Sequence, residues 1–594
     1  MKTRRMRVAV GVLAFGMFGV GSVWASGPTV TAKGINLYVT DSNGVERPLT
    51  SGMFYDYCPS LSPDGKTVYF TSSRGGICSV AIEGGPVKVL IAGRNGEVID
   101  PVVSPDGKLL VWSQIESFQS LHRLMVAPLA DLASRRALTA KTMSAHSPRW
   151  TDGKTLEFIG YRPGDAGWSR YRIGLDSKEP TFLGPADYAS APSKKTYRPQ
   201  PRVPAKPVRK RPAFEKIALV DSYDFYEVFD LRTRDSVTQV VDHVLRTGAD
   251  SLMWRQQSGG LPRYLTEEEN RARTPWPVEK LRLTLGNPSA ASISLCHDIP
   301  YDHVLEGLDT IRQRGKVAGI HYTFEEAHWT NQMLNQWTIE HPQYWCRRSD
   351  GTPWMGHCSL AYPEVVEHRL RQFDELLAME PDTVYFDGCC RCGGYYPAVH
   401  EYVPPVLEDW ARAYPGKEVP TNCWSSAEWP NFVSRYPMNY VRAMRRRMDA
   451  TGRKIRFILT AKENAGSRPA GDCSRQGHGL DWVQLLKEGT IDGVAIDPIF
   501  GAERAGDKIM EATEQVYRRA IRAAEGKSVY FSVCEYGFRR GNYHDYAKAL
   551  GVSESEAVRR LMQLAKDCGG AGIVMECVDY ENYKAVEKTI RDFD

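Results

Sequence analysis

The sequence predicts a multidomain fold, in which an all-β region of repeated units precedes a larger region of alternating strands and helices. A Ser-Pro-Asp-Gly-Lys segment occurs at residues 62–66 and again at residues 104–108, each time within a longer similar stretch. After residue 213 the pattern changes to apolar strands separated by amphipathic helical stretches, which is typical of a parallel sheet. Between the two regions, residues 189–213 contain six prolines, eight basic residues and no acid, which predicts an extended linker.

The first 25 residues have the pattern of an export signal. Four basic residues precede an apolar run at residues 8–20, and Val23 and Ala25 occupy the positions that a signal peptidase reads. We therefore expect cleavage after Ala25 and a periplasmic or secreted protein without stable membrane insertion. A retained N-terminal anchor is the alternative.

The formal net charge of +5 is distributed unevenly along the 594 residues. The segment 1–25 carries +4 and the linker 189–213 carries +8, so the rest of the chain carries −7. A basic linker whose only aromatic residue is Tyr197, preceded by an export signal, argues against nucleic acid as a partner.

The repeated units of the N-terminal region are predicted to be propeller blades. Their aspartates, Asp64, Asp106 and Asp152, lie 42 and 46 residues apart. Each Asp-Gly pair suits a tight hairpin turn, and a period near this length with four strands is typical of a β-propeller blade. Residues 30–188 resemble the TolB-type, WD-like propeller repeat. Three full units are few for a closed ring, which is therefore incomplete, capped by the other domain, or completed by a protein partner or by self-association.

Residues 214–594 are predicted to form a TIM barrel, that is, an eight-stranded (β/α)8 barrel. Eight candidate strands span residues 217–221, 251–255, 317–322, 383–387, 456–460, 493–497, 528–534 and 572–576. Their alternation with helical stretches fits the barrel with long loops, and an open doubly wound sheet is the alternative. The Gly-rich loop that would hold a phosphate-bearing cofactor is missing, so no cofactor is predicted.

Carboxylates cluster at the predicted carboxyl ends of these strands, where a TIM barrel holds its active site. Two carboxylates suit glycosidic bond cleavage, in which one protonates the leaving oxygen and the other attacks or activates water. We expect Asp387 as nucleophile and Glu535 as acid/base, with Asp497 as the alternative to Glu535 and with the two roles open to reversal. The candidate substrate-binding residues are Asp221, Trp254, Arg255, His321, Tyr322, Lys462, Glu463 and Glu576.

Tryptophans and cysteines outside the predicted strands give less specific signals. Stacking on sugar rings and packing in the core are equally good interpretations of six loop tryptophans. These tryptophans are at positions 329, 337, 345, 354, 424 and 429. Cys389, Cys390 and Cys392 form a tight cluster, but neither a second Cys pair nor a spaced His pair accompanies it, so no metal is predicted.

The α/β region also resembles a known family through four segments that follow one another in the same order. They are His-Pro-Gln-Tyr-Trp at 341–345, Asp-Gly at 350–351, Tyr-Pro-Glu-Val-Val-Glu-His at 362–368 and Thr-Val-Tyr-Phe-Asp-Gly at 383–388. They are similar to bacterial glycosyl-hydrolase-like proteins with a family 10-like TIM barrel. The resemblance implies the barrel fold and a carbohydrate substrate class.

These observations together predict an exported glycoside hydrolase that cleaves a poly- or oligosaccharide. A non-catalytic carbohydrate-binding or scaffold protein is the first alternative. A polysaccharide lyase or a deacetylase is the second.

Overall fold

The computed structural model of the chain describes residues 28–186 and 211–594 with internal gaps. The gaps are residues 34–35, 52–53, 55, 73, 94–97, 116–121, 222–232, 259–260, 263–300, 324–326, 329–332, 335, 389–396, 424, 426, 464–478, 498–507, 535–542 and 576–582.

The N-terminal region forms antiparallel sheets that follow one another along the chain. The first sheet has three strands, β1 (Thr29–Lys33), β2 (Asn36–Thr40) and β3 (Glu46–Pro48). Three four-stranded sheets follow, and they confirm the predicted blades. Their strands are β4 (Asp56–Leu61), β5 (Thr67–Ser72), β6 (Gly76–Ala81) and β7 (Lys88–Ala92); β8 (Val98–Val103), β9 (Leu109–Gln114), β10 (Arg123–Pro128) and β11 (Arg136–Ala137); and β12 (Ser144–Trp150), β13 (Thr155–Tyr161), β14 (Ser169–Gly174) and β15 (Thr181–Pro185). Strand β4 packs beside β1 and β8, and β8 packs beside β12, so the sheets stack in chain order.

The repeated Ser-Pro-Asp-Gly-Lys segment forms the same hydrogen-bonded turn in the first two blades. In the first blade the Ser62 hydroxyl donates to Asp64 Oδ1 at 2.5 Å, and the same oxygen accepts the Lys66 backbone N–H at 3.1 Å. Ser104 and Asp106 repeat this arrangement in the second blade. The glycine of each turn, Gly65 in the first, has a positive φ, which is why glycine stands there.

A second repeated feature lies on the first strand of each blade, where a β-bulge interrupts the pairing with the next strand. Cys58, Asp100 and Ser147 have positive φ angles at these bulges, and each precedes a proline. The Asp100 backbone N–H donates to Thr71 Oγ1 at 3.2 Å, and Asp100 Oδ2 accepts the Ser147 N–H at 3.0 Å. The bulges therefore join each blade to the next by hydrogen bonds.

Buried His146, on β12, makes the stability of the propeller depend on pH. Burial lowers the pKa of His146 to about 4, and the Asp100 carboxylate opposes this only in part. In the unfolded chain this histidine takes up a proton near pH 6.5, whereas in the folded chain it does not. The free energy of unfolding is therefore highest above pH 6.5 and falls as the pH drops towards 4. We expect His146→Phe to remove up to about 1.4 kcal/mol per pH unit of this dependence. Urea unfolding at pH 7, 6 and 5 measures it. The partly buried His544→Gln, in the barrel region, is the control. An equal dependence of the unfolding free energy on pH in wild type and His146→Phe would contradict the prediction.

The C-terminal region contains a closed barrel of eight parallel strands, as predicted, and not an open sheet. In barrel order these are β16 (Glu215–Val220), β17 (Ser251–Arg255), β20 (Val317–Thr323), β25 (Thr383–Asp387), β26 (Arg456–Lys462), β27 (Gly493–Asp497), β28 (Ser528–Cys534) and β29 (Gly572–Met575). The other strands form three hairpins: β18 (Gln257–Ser258) with β19 (Leu261–Pro262), β21 (Ala327–His328) with β22 (Met333–Leu334), and β23 (Trp345–Arg347) with β24 (Pro353–Cys358).

Helices surround the barrel and cover its outer face. They are α1 (Arg234–Val244), α2 (His303–Gln313), α3 (Gln336–Glu340), α4 (Pro363–Leu377), α5 (Pro397–His400), α6 (Pro404–Ala413), α7 (Glu428–Ala450), α8 (Trp482–Lys487), α9 (Ile509–Ala523), α10 (Tyr543–Leu550), α11 (Glu554–Asp567) and α12 (Glu587–Arg591). In the described part of the chain, no helix combines the length and the apolar character that crossing a membrane requires.

The third blade packs against the segment that follows β20 of the barrel. Tyr161 and Trp168 of the blade meet Trp345 edge-to-face, with 5.8 Å between the ring centroids in each pair. Trp345 is fully buried there, and its Nε1 donates to Thr338 O at 2.7 Å. This aromatic contact joins the propeller to the barrel.

Candidate active site at the carboxyl end of the barrel

The alternation of residues along the barrel strands decides which side chains face the interior. Leu219, Met253 and Tyr385 belong to the cluster inside the barrel, whereas their neighbours Val220 and Trp254 belong to the layer beneath the helices. Since successive residues of a strand point to opposite faces, Arg255, His321 and Asp387 occupy inward positions at the carboxyl ends of β17, β20 and β25. These ends form the mouth of the barrel.

The first pair at the mouth is a buried ion pair. Arg255 Nη1 lies 2.5 Å from Asp221 Oδ2, and the two side chains are 5% and 0% exposed. Asp221 directly follows β16, the neighbour of β17, so adjacent strands bring the two groups together. A buried guanidinium needs such a carboxylate, because an unpaired buried charge is strongly destabilising.

The second pair at the mouth consists of His321 and Asp387. His321 Nε2 lies 3.6 Å from Asp387 Oδ2, and the two residues are 1% and 3% exposed. Neither ring nitrogen of His321 makes a hydrogen bond to any residue in the described part of the chain. The imidazole and the Tyr385 ring meet edge-to-face, with 5.7 Å between their centroids.

Gln256 adds a polar group that sequence analysis missed. Its backbone N–H donates to His321 O at 3.1 Å, and its Nε2 donates to Thr323 O at 3.3 Å. An uncharged amide gives no signal to a search for charged strand ends. The one sequence feature that could have pointed to Gln256 is its position directly after Arg255.

Glu463, Lys462 and Asp497 lie at the ends of β26 and β27. Trp482 Nε1 donates to Glu463 Oε1 at 2.7 Å, and Arg519 Nη2 donates to Glu463 Oε2 at 3.2 Å. Both Glu463 oxygens are thus bound by side chains of α8 and α9. Lys462 is the register partner of Asp497, which is buried. Lys462 and Asp497 occupy inward positions at the ends of their strands, whereas Glu463 is directed to the helices and not to the mouth.

Two further predicted substrate-binding residues point away from the interior. Trp254 is fully buried under α2, where its ring would lie 2.4 Å from a Cβ on Gly307, and its Nε1 donates to His303 at 3.3 Å. Tyr322 also faces the helices, and its hydroxyl pairs with that of Tyr440 at 2.7 Å. The structure therefore places both in the core between strands and helices and not at the mouth.

Other predicted residues lie outside the described residues or in the packing core. Glu535, Glu576, the cluster Cys389–Cys392 and two of the six loop tryptophans belong to the undescribed part. Trp345, Trp354 and Trp429 are at most 4% exposed, so they pack in the core and offer no ring face to a ligand. In the part of the chain that the structure describes, no group of three or more His, Cys, Asp or Glu side chains could hold a metal ion.

The fold and the site define a protein with propeller blades and a parallel barrel whose mouth holds two buried pairs of ionisable groups. No family model and no curated protein matches the chain. Similar solved structures include a puromycin-hydrolyzing peptidase from Mycobacterium tuberculosis, with 23% identity over 27% of this chain and 30% of that one and a TM-score of 0.21. The β-propeller domain of the Trilobed protease from Pyrococcus furiosus has 17% identity over 23% and 45% of the chains and a TM-score of 0.18. An oligogalacturonate lyase from Vibrio parahaemolyticus has 13% identity over 25% and 58% and a TM-score of 0.18.

These comparisons correct the predicted function. The chain spans between 30% and 58% of the three similar structures, and likenesses at these TM-scores transfer no activity. The propeller part of the predicted resemblance agrees with the blades and with the propeller neighbour. The prediction of a glycoside hydrolase is wrong, because the neighbours are peptidases and a lyase, and no family match supports the glycosyl-hydrolase-like resemblance.

Proposed function

We propose that the barrel is an enzyme domain that performs general acid–base catalysis on a small polar substrate at its carboxyl-end mouth. His321 transfers the proton, and Asp387 orients the imidazole. One observation carries this proposal: a histidine that is 1% exposed, makes no ring hydrogen bond to any described residue, and faces a buried carboxylate at 3.6 Å.

A purely structural role explains this histidine poorly. Buried polar groups in folded proteins nearly always have hydrogen-bond partners, because a buried group without a hydrogen bond destabilises the fold by about 1–3 kcal/mol. A structural imidazole would therefore bind a backbone carbonyl or a hydroxyl among its described neighbours. An imidazole that must exchange a proton with a substrate needs a nitrogen that the protein leaves available.

The neighbouring groups suit proton transfer. A neutral imidazole accepts at one nitrogen and donates at the other, and a carboxylate beside it stabilises the imidazolium that forms when it takes a proton. The separation of 3.6 Å exceeds a hydrogen bond, and such contacts commonly shorten when a substrate binds. The Asp221–Arg255 ion pair on the adjacent strands holds a fixed dipole beside the reacting groups.

Conversion of small molecules by the purified full chain tests this proposal. The protein is incubated with panels of esters, amides, lactones and phosphate esters, and with a metabolite extract, and consumption is followed by mass spectrometry. We expect at least one compound to be consumed by wild type and by the control His544→Gln, a partly buried histidine of α10, and to persist with His321→Asn. Equal consumption by His321→Asn and wild type would reject the assignment.

We also propose that the protein is exported, on the basis of the N-terminal pattern alone. Basic residues before a short apolar run direct a chain to the secretory apparatus, which removes the segment. Mass spectrometry of the N-terminal peptide from the periplasm or medium is expected to show a mature chain beginning at Ser26. A chain that retains residues 1–25 in the cell envelope would instead identify them as an anchor.

A further inference from the structure

A cleft lies where the third blade meets the barrel region, away from the mouth of the barrel. Its volume is about 560 Å³, which is within the range of clefts that bind small molecules. The loop between β13 and β14, the end of β15 and Glu340 of α3 line it. Among the residues that the structure describes, the lining includes none of the proposed acid–base groups.

The blade side of the cleft is held by contacts within the β13–β14 loop. Asp165 Oδ2 accepts the Arg162 backbone N–H at 2.9 Å and also the Tyr171 hydroxyl. Asp165 Oδ1 lies 3.4 Å from Arg162 Nε, and the Arg162 guanidinium lies over the Tyr171 ring at 5.3 Å from its centroid. The charges of Arg162 and Asp165 are therefore balanced within this wall.

The barrel side of the cleft is Glu340, whose helix is tied to the blade by the aromatic junction. The carbonyl oxygen of Thr338, in the same helix, accepts a hydrogen bond from Trp345 Nε1 at 2.7 Å. The Trp345 ring meets the ring of Trp168, which also lines the cleft, at 5.8 Å between centroids. Because the lining holds one arginine and the two carboxylates of Asp165 and Glu340, its formal net charge is −1.

Phe182 adds an exposed aromatic ring to the lining. It is 49% exposed and is one of four large apolar side chains that are exposed in the described part of the chain. The Tyr171 ring supports it, with 5.7 Å between the centroids and an angle of 75° between the planes. The face of an aromatic ring attracts a cation through its quadrupole, and a carboxylate attracts a cation through its charge. A ring and a carboxylate in one cleft therefore favour an organic cation over an anion.

We propose that this cleft binds an organic cation, that is, a protonated amine attached to an apolar group. The apolar group lies against Phe182, and the ammonium group is attracted by Glu340. Such a ligand contacts the blade and the barrel region together, so it stabilises the junction between them. The inference does not depend on the proposed function of His321.

Binding of three probes of similar size to the full-length chain tests the inference. At pH 7 phenethylamine is a cation, phenethyl alcohol is neutral and phenylacetate is an anion. Ligand-observed NMR titrations measure the three dissociation constants. We expect saturable binding of phenethylamine, about threefold tighter than that of the alcohol and about tenfold tighter than that of phenylacetate.

Two variants with matched controls locate the binding. Phe182→Ala is expected to weaken the binding of phenethylamine about fivefold, whereas Phe54→Ala, which changes an exposed phenylalanine of the N-terminal region, leaves it unchanged. Glu340→Gln is expected to bring the amine and phenylacetate to within about threefold of each other. Glu179→Gln, an exposed position of the same blade outside the cleft, keeps the full difference.

Melting temperatures within about 2 °C of wild type show that the variants are folded. The inference is overturned if phenethylamine gives no saturable binding or if wild type binds the three probes equally. It is also overturned if folded Phe182→Ala and Glu340→Gln bind the probes as wild type does, because the cation then binds elsewhere.

Discussion

Replacing His321 by asparagine is expected to lower kcat by about 10²–10⁴-fold on a substrate that the wild type converts. Asparagine keeps a polar side chain of smaller size, but it cannot exchange a proton near neutral pH. The loss should appear in kcat and in kcat/KM together, because the proton moves in the transition state. Steady-state kinetics of the two proteins measures it.

Asp387→Asn separates the proton carrier from the residue that orients it. The variant keeps the shape of the side chain and removes the negative charge that faces His321 Nε2 at 3.6 Å. We expect a smaller loss of kcat than in His321→Asn and an altered pH–rate profile, whereas KM should change little. A His321→Asn enzyme within threefold of wild type would contradict the acid–base role, whatever Asp387→Asn does.

Arg456→Met is expected to destabilise the barrel by about 3–5 kcal/mol. At the end of the barrel opposite to the mouth, the Arg456 guanidinium donates to both oxygens of buried Glu215, at 2.6 and 2.9 Å. The hydroxyl groups of Tyr530, at 3.1 Å, and of Ser251 also donate to this carboxylate. Removal of the arginine leaves a buried carboxylate that keeps only the weaker attraction of Arg211 and its hydroxyl donors. Urea unfolding at pH 7 measures the loss.

The pH dependence of this variant gives a second readout. In the wild type, burial raises the pKa of Glu215, but the hydrogen bonds and charge of Arg456 outweigh it and hold the pKa below its usual 4.5. The stability from this pair is therefore present above pH 4.5 and is lost as the pH falls below it. In Arg456→Met only the smaller effects of Ser251 and Arg211 oppose burial, so the destabilisation should be large at pH 7 and should shrink as the pH approaches 4.

The double variant Glu215→Gln with Arg456→Met is the matched control. It removes the buried charge together with its partner, so it should recover a large part of the lost stability. A single variant that loses less than about 1 kcal/mol, or a double variant as unstable as the single one, would contradict this account of the ion pair.

Local patterns were sufficient to predict both parts of the fold. The Asp-Gly turns depend on short-range hydrogen bonds such as that between Ser62 and Asp64. The sequence of each repeat is therefore sufficient to predict its hairpin. The barrel strands were recognisable because a strand buried on both faces, such as 493–497, is a continuous apolar run. The positions of Asp221, Arg255, His321 and Asp387 at strand ends were also predictable, because they follow from strand boundaries.

Some residues predicted to bind substrate could have been excluded by the alternation of side chains along a strand. Trp254 and Arg255 are consecutive, as are His321 and Tyr322, so only one member of each pair can face the mouth. Knowing which member faces inward requires the register of the closed barrel. Gln256 lay outside a search for charged groups altogether.

The sequence alone determined the order of the blades and barrel strands and the set of polar residues at the strand ends, because turns, strand lengths and apolar runs are local properties. Only the tertiary structure decided that Arg255 pairs with Asp221, that His321 faces Asp387 without a ring hydrogen bond to a described residue, and that Trp254 and Tyr322 lie under the helices. The physical reason is that these relations depend on the register between strands that lie 34 to 66 residues apart in the chain, and closure of the barrel sets that register.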